Sequence, residues 1–116
     1  MNIWTTEKTK LFNEENILIM ENIINAAIQL VPLAEKEEAY SMVDKAIELI
    51  RNSGLKYKVC PFETVVEGEY ESILQLISEI KNESIDSSDK DFIINLKLQF
   101  GNKNISTIDE KMVKYK

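Results

Sequence analysis

Histidine is absent from this 116-residue chain. That removes every Ser-His-Asp or Cys-His catalytic arrangement and every histidine-held metal. Cysteine occurs once, as Cys60, so neither an intrachain disulfide nor a CxxC metal site can form. A reducing cytoplasm is the expected home. Three glycines and two prolines are too few for a Gly-rich phosphate loop or a disordered linker. Long apolar runs are missing as well: stretches such as Ile17-Leu18-Ile19-Met20 fall far short of the roughly 20 residues that span a bilayer. Lys8 and Lys10 are followed by Leu11-Phe12 and then by acids, which is not the pattern of a signal peptide. Basic residues are in deficit, 14 against 20 acidic, for a net charge of −6. Nucleic-acid binders draw affinity from Lys and Arg on phosphates, so neither nucleic acid nor membrane is an expected partner. A cationic ligand is permitted.

What remains is sufficient for one domain. Hydrophobic residues make up 44% of the chain. A chain of this size buries about two-thirds of the surface its unfolded form exposes, enough to fold without metals or disulfides. Residues 1–22 are polar and mixed, with no clear period, and read as an N-terminal extension to a domain spanning 23–116. One reading makes Met20 the biological start. The other keeps the extension and packs Trp4, Leu11 and Phe12 on the surface or on a partner.

Ile23 to Val31 alternates apolar and polar residues and reads as a half-buried strand ended by Pro32. Lys36 to Asn52 carries Ala39, Val43, Ala46, Ile47 and Ile50 at helical spacing, with Gly54 placed to cap the helix C-terminus. Leu55 to Cys60 alternates again, and Pro61 breaks it. Glu63 to Glu67 is a short strand with β-branched Thr64, Val65 and Val66. Gly68 is expected to turn the chain into a second helix, Tyr70 to about Asn82, with Tyr70, Ile73, Leu74, Ile77 and Ile80 on one face. Asn82 to Lys90 is polar and reads as a loop. Phe92 to Phe100 is the last strand, with Ile94, Leu96, Leu98 and Phe100 facing in. Thr107 and Glu110 fit a capping box opening a short helix, Ile108 to Tyr115.

The order βαββαβ predicts an α+β fold, the ferredoxin-like plait. It is a four-stranded antiparallel sheet with two helices on one face, right-handed crossovers and a short C-terminal helical tail. The first and third strands take the centre. The other face is left with Asn25, Ala27, Gln29, Lys56, Lys58, Cys60, Asn95, Lys97 and Gln99. Such a face is wet, binds a ligand or pairs with a second subunit.

Phe62-Glu63-Thr64-Val65-Val66-Glu67-Gly68-Glu69 is the densest cluster of functional groups. Its carboxylates either serve helix-start electrostatics or recognise an amidine-like cation through paired hydrogen bonds. Asn25 and Gln29 either bond a neighbouring subunit or line a pocket. Lys56 and Lys58 with Lys97 read as a basic stripe that solvates an edge. Cys60 lacks a histidine to activate it and reads as an inert apolar residue. No nucleophile or metal constellation accompanies the carboxylates, so no enzyme is expected.

Several strings together resemble the YkoF-like thiamine-binding domain family, over roughly Ile23 to Lys116. They are Val31-Pro32-Leu33, Ser53-Gly54-Leu55-Lys56-Tyr57, Thr64-Val65-Val66-Glu67-Gly68-Glu69, Ile108-Asp109-Glu110-Lys111 and Lys114-Tyr115. Phe62-Glu63 departs from the small or polar residues that relatives tend to carry there. The resemblance implies non-catalytic binding of thiamine or its hydroxymethylpyrimidine half, with no cofactor, and homo-oligomers, dimer or tetramer, built through the open sheet faces. An aminopyrimidine offers a ring nitrogen and an amine side by side, which a carboxylate such as Glu67 or an amide such as Gln29 can pair with. Asn25, Gln29, Thr64, Glu67 and Glu69 are therefore the expected ligand-binding residues, in a carrier or buffer of thiamine metabolism. The alternatives are an oligomeric scaffold or regulatory subunit without a small ligand, and an acylphosphatase-like enzyme. The latter needs an arginine cradle for phosphate, and the single arginine, Arg51, stands at the end of the first helix.

Overall fold

The computed structural model describes residues 23–101 together with Ile108 and Met112. The extension at 1–22, its Trp4, Leu11 and Phe12, and the capping box of the tail lie outside the described residues.

Strand β1 (Ile23–Pro32) opens the domain, followed by α1 (Lys36–Asn52), β2 (Lys56–Val59), β3 (Thr64–Glu69), α2 (Tyr70–Ser87) and β4 (Phe92–Gln99). The sheet order is β2-β3-β1-β4 with every neighbouring pair antiparallel, which is the ferredoxin-like plait. Alternation along β1 sends Ile24, Ala26 and Ile28 into the helix-covered side. There they meet Val66 of β3, Ala46 and Ile50 of α1, and Ile73, Leu76 and Ile80 of α2 in one core cluster. Burying an Ile or Leu side chain is worth about 1.5–3 kcal/mol. This core therefore holds both helices to a single face of the sheet.

The first helix has the bounds its periodicity predicts, and its buried stripe is Met42, Ala46 and Ile50. It stops as expected. Ser53 returns its N–H and hydroxyl to the Ile50 carbonyl, and Gly54 takes the left-handed conformation with φ 80°. The second helix runs five residues beyond Asn82, to Ser87. Ile73, Leu76, Ile80 and Ser84 keep helical spacing on its buried side, so the small Ser84 prolongs a stripe that looks polar in sequence. No Gly or Pro interrupts that run. The expected long loop shrinks to Ser88–Asp91.

Gly68 does not turn the chain. It lies within β3, paired with Ile24, and the strand continues to Glu69. A Cβ at Gly68 would stand 2.8 Å from a Leu55 methyl. The glycine is there because Leu55, leaving the α1 cap, packs directly on the strand backbone. Phe100 also departs from expectation: β4 ends at Gln99, and the Phe100 ring stays 60% exposed, 5.5 Å from that of Tyr70.

Candidate functional site

Pairing register decides which side chains share the open face. One row across the sheet runs Lys56, Glu67, Asn25, Gln99; the next runs Lys58, Val65, Ala27, Lys97. Lys56 and Lys58 thus stand on one edge strand and Lys97 on the other. With two strands between them, about 14 Å of sheet separates them, and the expected basic stripe does not form. Lys97 instead bridges to Glu63, 3.3 Å away.

Asn25, Gln29, Thr64, Glu67 and Glu69 are not gathered into one place. Thr64 and Glu67 are three residues apart on a strand, so they project from opposite faces. Thr64, paired with Ile28, is buried on the helix side. Glu67 lies beside Asn25, and its carboxylate accepts the Ile108 backbone N–H at 3.0 Å. Ile108 and Asn25 are each only 6% exposed, so Ile108 packs at this end of the face. Asn25 donates to Gln99. Gln29 stands four residues along β1, about 13 Å from the Asn25 row. Its carbonyl oxygen accepts from Asn95 at 3.0 Å, which leaves its NH2 group as a donor. Glu69 occupies the residue before α2 and makes no side-chain cap.

Of the five, Thr64 stands at a cleft where the sheet, α1 and the β2–β3 hairpin converge; Gln29, next to Ile28 on β1, borders it while its side chain stays on the open face with Asn95. The hairpin is closed by a bond from the Cys60 N–H to the Glu63 carbonyl, so Pro61 and Phe62 form its tip. Ile28, Val43, Ile47 and Ile50 make an apolar wall, with Glu63 at the hairpin end. The enclosed space is about 80 Å³. Whole small-molecule sites typically occupy about 300–1,000 Å³, so this cleft suits one end of a ligand. A hydroxyl beside an apolar wall can hydrogen-bond the edge of a flat heterocycle while the wall buries its faces. Glu63 and Phe62 were within the dense motif but not among the expected site residues. The two-residue connection Pro61-Phe62 was the signal that places Phe62 at the tip, with Glu63 just after it.

Arg51 supports no phosphate cradle. It is paired with Glu48 at 2.9 Å, and Tyr57 and then Glu48 hold its guanidinium pKa above the ordinary value. Among the described residues no cluster of acids, Cys and His could hold a metal ion, and no helix is long and apolar enough to cross a membrane.

A sequence model of the thiamine-binding protein family matches residues 26–116. The chain belongs to this family. The family is defined by binding rather than by a catalysed reaction. A UPF0045 protein of Clostridium perfringens is 32% identical over 92 residues, covering 79% of this chain and 96% of its own. Among solved structures, a Thermotoga maritima protein named as a candidate for thiamine biosynthesis or salvage is 33% identical, with a TM-score of 0.74. That match covers 81% of this chain and 99% of the other. A domain of unknown function from Bacillus cereus, also 33% identical, has a TM-score of 0.75, covering 84% of this chain and 94% of its own.

Proposed function

We propose that this member of the family binds thiamine, or its hydroxymethylpyrimidine half, without catalysis, as a carrier or buffer in thiamine metabolism. The observation that carries the reading is the buried Thr64 beside an apolar cleft between the sheet, α1 and the hairpin tip. The aminopyrimidine ring enters the cleft edge-on. The Thr64 hydroxyl serves its ring edge, and Ile28, Val43 and Ile47 cover its faces. Asn25, Glu67 and Glu69 act elsewhere: Asn25 bonds Gln99 across the sheet, Glu67 holds the Ile108 N–H, and Glu69 leads into α2. The protein works in the reducing cytoplasm, where Cys60 stays a free thiol.

The same chain self-associates into a dimer or tetramer through the free end of the open sheet face, around Ala27 and Val65. Both are half-buried, on the face turned away from α1 and α2.

Calorimetric titration with thiamine and hydroxymethylpyrimidine tests the ligand reading. Thr64→Val keeps the volume and removes the hydroxyl. One neutral hydrogen bond contributes about 0.5–1.5 kcal/mol, so affinity for both ligands should fall roughly three- to tenfold. A wild-type protein that binds neither compound at millimolar concentration would refute the proposal.

A further inference from the structure

Of the described residues that line the cleft, Val59 and Phe62 are the large apolar ones left exposed, at 47% and 81%. Val59 stands directly across from Thr64 in the β2–β3 ladder, so both project to the helix side. Phe62 follows at the hairpin tip, two residues before Thr64. One margin of the cleft therefore carries a buried hydroxyl, an exposed Val59 beside it, and an aromatic ring in water at the mouth.

The backbone beneath this ring is tied down. Pro61 fixes its own φ. The Cys60 N–H donates to the Glu63 carbonyl at 2.9 Å and closes the turn. The Glu63 carboxylate is held on the open face by Lys97, 3.3 Å away. The Phe62 side chain remains free to change, and an exposed side chain moves between staggered rotamers in picoseconds to nanoseconds. Aromatic area in water is unfavourable, and a flat ring seated in the cleft presents the partner that Phe62 lacks. The enclosed space of about 80 Å³ takes one end of a ligand and leaves the outer surface of that end at the mouth. A hydrogen bond from Thr64 to the ligand edge is stronger where water is kept away from it.

Resting on the ligand site proposed above, we infer that Phe62 is an aromatic lid: its ring closes over the seated heterocycle and Val59, and keeps water from the Thr64 hydrogen bond. The hairpin backbone stays in place and the side chain alone swings. Closure follows entry, so the lid slows departure and leaves the association rate unchanged. It covers the ring that thiamine and hydroxymethylpyrimidine share, and so it strengthens the binding of both alike.

The test is calorimetry and stopped-flow kinetics on the full chain with hydroxymethylpyrimidine and with thiamine. The proteins are wild type, Phe62→Ala, Phe62→Tyr, Thr64→Val and the double variant Phe62→Ala/Thr64→Val. Phe62→Ala should weaken both ligands about tenfold, through faster dissociation, with association within about twofold of wild type. Phe62→Tyr keeps the ring and should bind like wild type. Thr64→Val should cost less than about twofold when added to Phe62→Ala, against roughly three- to tenfold alone, because the bond is then already open to water. Melting temperatures of the Phe62 variants should match wild type, since the ring is exposed. Additive effects of the two substitutions, a loss confined to the association step, or Phe62→Ala affinity within about twofold of wild type would each overturn the inference. If Thr64→Val weakens both ligands while Phe62→Ala does not, the cleft stands and only the lid falls. A wild type that binds neither compound overturns both.

Discussion

The bond from Ile108 to Glu67 offers a direct way to separate structural from ligand-binding carboxylates. Glu67 is half-buried on the sheet and accepts the Ile108 N–H at 3.0 Å across 41 residues of chain. Glu67→Ala removes the acceptor and leaves a backbone donor beside a hydrophobic residue that is 6% exposed. Hydrogen bonds to charged groups contribute about 1.5–3 kcal/mol, and the partial exposure of Glu67 argues for the lower end. A loss of about 1.5 kcal/mol makes local opening of the C-terminal segment roughly tenfold more frequent. Amide hydrogen exchange reads this residue by residue. The Ile108 amide should exchange about tenfold faster in Glu67→Ala, while amides of β1 and α2 keep their protection. Thiamine affinity, measured on the same variant, should stay within about twofold, because Glu67 lies several residues of strand away from the cleft. Unchanged exchange at Ile108 would refute the latch. A large loss of thiamine affinity would return Glu67 to the ligand site.

Gly68→Val places a branched side chain where a single Cβ already comes within 2.8 Å of Leu55. It should lower stability by about 1–3 kcal/mol in urea unfolding, and a variant as stable as wild type would show that Leu55 has room to withdraw. Ala27→Arg inserts a third positive charge into the row between Lys97 and Lys58. If subunits pair through this face, light scattering at micromolar concentration should fall from the dimer or tetramer mass to about 13 kDa, the mass of one chain. A wild type that already runs at the single-chain mass would refute self-association.

Element type and order were legible in the sequence because strand and helix periods differ, 2 against 3.6, and each apolar stripe keeps its own. Gly54 was legible for a local reason: a C-terminal cap needs only the few residues around it. The family was legible too, because its strings are contiguous. Properties that depend on contact between distant segments were not. The role of Gly68 is set by Leu55, which is remote in sequence and touches it only after the β2–β3 hairpin forms. Ser84 became part of a buried stripe because α2 packs along its whole length, which polarity alone does not reveal. The fate of Thr64 and Glu67 was decided by register. A period of two puts Thr64 and Glu67 on opposite faces, the pairing with Ile28 carries Thr64 to the helix side, and the returning chain end claims Glu67. Sequence could place carboxylates, an amide and a hydroxyl within reach of a heterocycle. Only the closing of the hairpin against α1 decided that Thr64 is the polar group set beside an apolar wall, because that arrangement depends on three elements packing at one end of the sheet.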